Sequence, residues 1–415
     1  MKQQTCQVAE TWQVCLFCST YSNEETMSIG TQLPLEWKTT TDPHTGRTLR
    51  QFTSAAANSY PLYYFIDTIT PDGKTLIFHS ERSGWVQLYK MDLESGEMVQ
   101  LTDGRTRDSG WAIWCEHHLR GIYNHLSALN GVRREVYYFE DEEVRCTHID
   151  SLENRLVQAL PGRISIGQSG FSPDGRHYAF IHADCAQFVE ALADREALSN
   201  MGHPVNHEEW RNQLPVVIGL IDTVTGDYRD VVTVPFHVHH VFFISNDRLL
   251  VNHTQGENGM WTVNIDGSGA RTLRSSADGH GAVCHQVITE NGLFYEANES
   301  VDGERRVWIG RYDLDNDTFV EELLPNVGYV HTGRDPAGKL RFFENQEGSH
   351  RHQLLLVHER GDAIEVEVLR ELAPIIRGQR YHAHPFLSPD RQWLFFNEVI
   401  DGFSQICALE MRLGD

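Results

Sequence analysis

Basic residues are scarce in this sequence: 35 Lys and Arg stand against 58 Asp and Glu over 415 residues, a formal charge of −23. A field of that sign repels phosphate backbones, which sets nucleic acid aside as a partner. It also obliges any anionic substrate to meet a local cation, either arginine or metal. Long apolar runs are missing, none approaching the roughly 20 residues that span a bilayer, so no membrane partner is expected. The eight cysteines lack paired zinc-site spacing; Cys15-Leu16-Phe17-Cys18 has no second pair, and all are expected to be free thiols in a reducing, cytoplasmic compartment. Sustained helix-like text is confined to about residues 186–212. What remains is 40% hydrophobic and 10% aromatic with 22% charged, enough for a globular core and incompatible with a disordered or collagen-like chain.

That apolar material is organised as a repeat. The clearest unit runs from Asp67 through the turn Pro71-Asp72-Gly73 to strands at Thr75–Phe78, Trp85–Tyr89 and Met98–Leu101. Echoes of its turn follow at Ser172-Pro173-Asp174-Gly175, Ser245-Asn246-Asp247, Thr289-Glu290-Asn291-Gly292, Asp335-Pro336-Ala337-Gly338 and Ser388-Pro389-Asp390, with a weaker one at Cys115–His118. Seven such units of four short strands predict an all-β fold, a seven-bladed β-propeller, whose blades bury their faces only against neighbouring blades. The helix-like stretch 186–212 accounts for the one long spacing, as an insertion after the third turn. Gly46–Thr53 is an orphan strand ahead of the first full blade, and the last blade ends after three strands at Ser404–Met411. The N-terminal strand is therefore expected to complete the seventh blade and remove the free edges. Residues 1–26 differ in character from the rest and are expected to be a disordered leader or a misassigned start with Met27 as the natural beginning, a cryptic signal peptide being the alternative; the leader is set at 1–35 and the propeller at 36–415.

The first strand of each blade lines the central channel, and several of the 22 histidines fall there. These are His237, His239 and His240, His280 and His285, His331, and His382 with His384. A single histidine is more often a hydrogen-bonded structural residue than a ligand. In Gln379-Arg380-Tyr381-His382-Ala383-His384, however, the i, i+2 spacing sends both imidazoles to one face of a strand, where they can grip one ion. His285 is a candidate third nitrogen and Gln379 an oxygen. Mn²⁺, Zn²⁺, Ni²⁺ and Fe²⁺ all suit such a set.

Thr41–Gly46 followed by Leu49–Thr53, the seven blades, and Gln379-x-x-His382-x-His384-Pro385 together resemble the oligogalacturonate lyases over about residues 36–412. The resemblance implies a cytoplasmic seven-bladed propeller that binds Mn²⁺ through three histidines and a glutamine and cleaves short uronate (pectin-derived) oligosaccharides by β-elimination. Carried over, the metal ligands are His285, Gln379, His382 and His384; His253 is the general base and His239 a further pocket histidine. There are departures. Asn58-Ser59-Tyr60-Pro61 stands where the family has a Cys-His-Arg-Asn segment, and the strand Pro215–Ile218 lacks the expected arginine, for which Arg211 is the nearest candidate. These losses bear on the sugar subsites, not on the metal.

Arg82, Arg211 and Arg380 are candidates for holding a second substrate carboxylate through bidentate contacts. Arg82 reads equally well as a loop charge, and Arg380 as interblade packing. Tyr60 or Tyr381, water, or the histidine itself could supply the leaving-group proton. Trp111, Trp114 and Tyr64 could stack on sugars, although blade aromatics are more often core. Two other functions fit a propeller: a non-catalytic scaffold or binding protein of the periplasmic translocation-partner type, and a prolyl-oligopeptidase propeller. The second lacks a Gly-x-Ser-x-Gly nucleophile elbow in this sequence; the first has no use for the histidine constellation.

Overall fold

A computed structural model of the chain describes residues 27–107, 119–123, 125–190, 214–238, 240–252, 259–347, 351–360, 363–374 and 378–412. Within them the strands form seven antiparallel sheets, each built from neighbours in sequence except the first, which adds Gln32–Leu33 at its outer edge, and the last. This is the seven-bladed propeller the repeat predicts. The innermost strands are Ser59–Pro61, Ala128–Asn130, Gly170–Phe171, His240–Ser245, Ala282–Thr289, Tyr329–Thr332 and Phe386–Leu387, in blades 1 to 7.

The recurrent turn has a local cause. In Ser172–Arg176 the Ser172 hydroxyl donates to Asp174 Oδ1 at 2.6 Å, and that oxygen also accepts the Arg176 amide at 3.0 Å. Thr70 and Asp72 make the same pair in blade 1, and Ser388 and Asp390 repeat it in blade 7. Short polar side chains satisfy the turn's own amides, so the reversal is encoded within a few residues. Gly175 closes it at φ +72°, where a Cβ would also lie 2.6 Å from Asn130 Oδ1 of the neighbouring blade. In blade 2 the corresponding reversal is Gly131–Arg134, between Ala128–Asn130 and Glu135–Glu140, with Arg134 at φ 55°. The weaker turn expected at Cys115–His118 lies outside the described residues.

Blade faces pack through aromatic ladders, as where Tyr137 and Phe139 of blade 2 meet Tyr178 and Phe180 of blade 3 at 5.0 and 5.6 Å between centroids. Ring closure follows the expected route. Thr48–Gln51 pairs with Phe403–Glu410 in blade 7, with Leu49 opposite Leu409 and Gln51 opposite Cys407. Lys38–Thr41 then adds a fifth strand outside it. Buried polar contacts lock the seam: Asn58 Oδ1 accepts the Ser404 amide at 2.9 Å, and Arg370 bridges Asp42 and Glu398. The leader boundary shifts, because Gln32–Leu33 already pairs with Val99 and Met98 at the outer edge of blade 1. Residues 1–26 lie outside the described residues. Residues 185–190 are helical, and the remainder of the 186–212 insertion to residue 213 is not described.

After Ser59–Pro61 the chain leaves the strand path and crosses the axis. Tyr64 is fully buried with its ring 5.6 Å from His285, 6.0 Å from His331 and 5.9 Å from His384. Tyr63 lies 4.7 Å from His384 and 5.8 Å from His125, while Phe65 packs on Phe242 at 4.3 Å. Contacts to four or more blades place these rings in the middle of the ring of blades. They form an apolar floor against which a histidine cluster rests, so Tyr64 is core.

Candidate metal centre

Two of the site histidines are presented by irregular backbone. Pairing between Ala282–Thr289 and Gly292–Val301 slips between Cys284 and Val287, a bulge that re-aims His285, whose φ is 50°. In blade 7, Gln379–Tyr381 is a single 3₁₀ turn, His382 is extended, and His384 has φ 42°. The stretch expected to be a strand is thus a turn. Its geometry is imposed by buried Asn397, whose side-chain amide donates to the carbonyls of His382 and Arg380 at 3.2 and 3.4 Å while its backbone amide donates to Ala383. The two imidazoles still meet, stacked at 5.7 Å. Non-glycine residues in the left-handed region cost of order 1–3 kcal/mol, and such strain concentrates at functional sites.

Blade 6 contributes His331 from its innermost strand, fully buried. Its ring centroid lies 4.4 Å from that of His285, 4.6 Å from His382 and 4.8 Å from His384. Four imidazoles from blades 5, 6 and 7 therefore converge. His280 does not join them; it stacks on Trp308 with centroids 3.4 Å apart.

Two carboxylates orient the cluster. Glu296 Oε2 accepts His285 Nδ1 at 2.9 Å, while its other oxygen accepts the Thr332 hydroxyl at 2.7 Å. Glu344, with no exposed surface, accepts His382 Nδ1 and His352 Nε2 on Oε1, each at 2.9 Å. Its Oε2 lies 3.1 Å from His331 Nδ1 and 3.3 Å from the His384 amide. Cys284, His285 and Glu296 form one group with donor atoms within 4.8 Å of one another, and His331, Glu344 and His382 another. With its oxygens already receiving three N–H groups and lying 3.1 Å from His331 Nδ1, Glu344 acts behind the imidazoles. An acceptor on Nδ1–H fixes the tautomer that leaves Nε2 as the lone-pair nitrogen, the arrangement that supports metal-bound histidine.

The electrostatics follow from burial and this pairing. Burial, reinforced by neighbouring His285, pushes His331 down to about 3. Burial and His331 hold His384 well below the ordinary histidine range, so both present neutral nitrogens. Burial opposes the charge on His285, but Cys284 and Glu296 outweigh it and raise the group well above its usual value. Burial likewise works against the Glu344 carboxylate, yet His382 and His331 hold its pKa well below the usual range.

Gln379 Oε1 and His384 Nε2 are among the buried side-chain atoms without a hydrogen-bond partner in the described residues. Such atoms occur elsewhere in the blades as well, but these two belong to the turn that carries the expected ligands. Imidazoles backed by carboxylates, with an orphaned amide oxygen, fit a divalent transition ion.

Other expected site residues fall elsewhere. Arg82 engages Glu36 at 2.8 Å, Ser80 at 2.9 Å and Ser59 at 3.1 Å and packs over Tyr89. It ties the N-terminal segment to blade 1, so the expected sugar contact gives way to a structural role. Tyr60 is fully buried, stacked on His79 and His125 at 5.4 and 4.8 Å, which leaves it no surface for a substrate. Tyr381 is also buried and lies 5.1 Å beneath the Arg380 guanidinium, itself 3.1 Å from Glu81; Arg380 packs between blades. His253, His239 and Arg211 lie outside the described residues, as do Trp111 and Trp114. Glu296, Glu344 and a site role for His331 were not anticipated. A signal for them existed: Phe294-Tyr295-Glu296 and Phe342-Phe343-Glu344 hold equivalent second-strand positions, each following apolar residues with a charge.

No family model matches this sequence, and no curated protein matches it. Solved structures do. An oligogalacturonate lyase from Vibrio parahaemolyticus is 16% identical with a TM-score of 0.74, over 93% of this chain and 99% of that one. An oligogalacturonate lyase in complex with manganese is 18% identical with a TM-score of 0.75, over the same shares of each chain. A prolyl endopeptidase, at 12% identity and a TM-score of 0.52, is matched over 94% of this chain but only 55% of its own. The shared feature is the propeller fold.

Proposed function

We propose that this protein is a divalent-metal-dependent lyase that cleaves short 4-linked uronate oligosaccharides by β-elimination, with Mn²⁺ as the ion. The carrying observation is the convergence of His285, His382 and His384, beside His331, with carboxylates on Nδ1 of His285 and His382 and an orphaned Nε2 on His384. Similarity to oligogalacturonate lyase structures, one in complex with manganese, supports the same reading.

Elimination removes the proton at C5 of the uronate, which is poorly acidic because the adjacent carboxylate already bears negative charge. When bound, the cation supplies the charge that offsets that carboxylate as negative charge develops on it. His285, Gln379, His382 and His384 hold it. Glu296 and Glu344 keep the ligating imidazoles in one tautomer, and the Tyr63–Phe65 floor excludes water from one side, strengthening every electrostatic contact above it. His253 is assigned the proton at C5, since a neutral imidazole accepts near neutral pH, with His239 and Arg211 positioning the sugar. A reducing, cytoplasmic setting accords with Cys146, Cys185, Cys284 and Cys407, which form no disulfide. Among the described residues no helix is long and apolar enough to cross a membrane.

The test is metal analysis of purified protein together with a spectrophotometric screen on oligogalacturonates. About one ion per chain and a rising absorbance from a 4,5-unsaturated product are expected, abolished by EDTA and restored by Mn²⁺. Inactivity of the Mn²⁺-restored protein across a panel of uronate oligomers would remove the lyase assignment and leave a binding propeller.

A further inference from the structure

We infer that the cleft between blades 5 and 6 is a second binding site, which takes the oxyanion group of a small organic anion through Arg311, Lys339 and Arg341. The cleft holds about 650 Å³, within the range of small-molecule sites. Its nine lining residues include those three cations and His358, and no Asp or Glu, in a chain where acidic residues outnumber basic ones 58 to 35. It lies beside the turns that follow the innermost strands, at Asn291 and Gly338. His285 and His331 stand upstream of those turns, in the innermost strands themselves, so the cleft is separate from the histidine cluster.

Contacts between the two blades build the cleft. Asn291 Nδ2 donates to the carbonyls of Ala337 and Gly338 at 3.0 and 3.1 Å, and the Glu290 amide donates to Pro336 at 2.9 Å, so the turns are clipped together. Gly338 has φ +62°, and a Cβ there would meet Thr289 Oγ1 at 2.4 Å; the close approach requires glycine. Phe294 and Val357 are buried and give the cleft an apolar floor for the carbon body of a ligand. Over that floor the Arg341 guanidinium lies 4.5 Å from the Phe294 centroid and donates to the Gly310 carbonyl at 3.1 Å, which orients its plane before any ligand arrives. Arg311, next in sequence to Gly310, and Lys339 are exposed. The neighbouring carboxylates are engaged elsewhere. Asp335 accepts the amides of Lys339 and Leu340 and pairs with Arg391, Asp313 accepts the Asn316 side chain, and Glu367 accepts His358 Nε2 at 2.8 Å. Three cations therefore share one cleft with no carboxylate in its lining. Their mutual repulsion is relieved by a bound oxyanion, which guanidinium groups hold through paired contacts.

Isothermal titration of the full chain with inorganic phosphate and, separately, with galacturonate, which has no glycosidic bond to break, tests the site. Binding of at least one probe at low salt is expected, weaker at high salt and at least ~10-fold weaker in Arg311→Glu and in Lys339→Glu; circular dichroism confirms that each variant is folded. Phosphate alone identifies a phosphorylated ligand, galacturonate alone a carboxylate, and both a site for oxyanions in general. Wild-type protein that binds neither probe, or folded variants with unchanged affinity, would overturn the inference. The titration needs neither Mn²⁺ nor turnover, so inactivity on uronate oligomers would remove the lyase reading and leave this one standing.

Discussion

Replacing Glu344 with glutamine is the sharpest perturbation of the centre that removes no proposed ligand. The native carboxylate faces three imidazole nitrogens and the His384 amide, at 2.9 to 3.3 Å, with no exposed surface. Glutamine keeps one accepting oxygen and puts an NH₂ group where the second stood, so contacts made by one oxygen are lost and donors face donors. A hydrogen bond to a buried charged group contributes about 1.5–3 kcal/mol, so two such losses destabilise the metal-free protein by roughly 3–6 kcal/mol. Metal affinity suffers separately, because His382 loses the partner that fixes its tautomer; disturbing such a partner costs about 10–100-fold in affinity, or roughly 1.4–2.8 kcal/mol. Urea unfolding with and without Mn²⁺, alongside isothermal titration, reads both quantities. A folded Glu344→Gln protein that binds Mn²⁺ as tightly as wild type would refute the assignment of Glu344 as the orienting group.

Four further outcomes follow from the geometry. His384→Ala and Gln379→Ala should each weaken Mn²⁺ binding more than ~100-fold while destabilising the metal-free protein by less than about 2 kcal/mol, since each removes an unpartnered polar atom along with its packing; titration and urea unfolding separate the two effects. Saturating wild type with Mn²⁺ at 100 times its Kd should raise stability by about 2.7 kcal/mol, an increment that EDTA removes; a melting midpoint indifferent to Mn²⁺ would deny a folded-state site. Arg82→Ala should destabilise the fold by about 1–3 kcal/mol without changing kcat/KM on uronate oligomers, whereas a selective rise in KM would restore it to the substrate site. Burial, with neighbouring Arg163, lowers His182 to about 4 in the folded state against about 6.5 unfolded. Between those values the unfolded chain binds the extra proton, so this contribution is constant above pH 6.5 and is lost as pH falls, by about 2 kcal/mol at pH 5. His182→Asn should therefore show a shallower loss of stability from pH 7 to pH 5 than wild type, and parallel slopes would contradict the argument.

The propeller was legible because its turns are local. Each Ser/Thr–Asp pair satisfies its own reversal, so Pro71-Asp72-Gly73 and Ser172–Gly175 announce blades without reference to the rest of the chain. Closure by Thr48–Gln51 was legible for a related reason, since an orphan strand and a three-stranded last blade require one another. The site was legible only in part. His285, Gln379, His382 and His384 could be named, but the argument placing His382 and His384 on one strand face misjudged the backbone, because Asn397 folds that segment into a turn from 13 or more residues away. Glu296 and Glu344 went unassigned because each sits in a second strand, where a charge reads as solvent-facing until neighbouring blades cover it. Arg82 and Tyr60 were misplaced by the same kind of long-range contact: Glu36 lies 46 residues from Arg82, and His125 closes over Tyr60 from another blade.

The central claim is that these side chains enclose one divalent cation at the propeller axis. Anomalous difference density collected at the manganese edge from crystals grown with Mn²⁺ tests it most directly. The account predicts a single strong peak bounded by Nε2 of His285, His382 and His384 and by Gln379 Oε1. A map with no peak among them, or with its strongest peak at another position on the molecule, would contradict it.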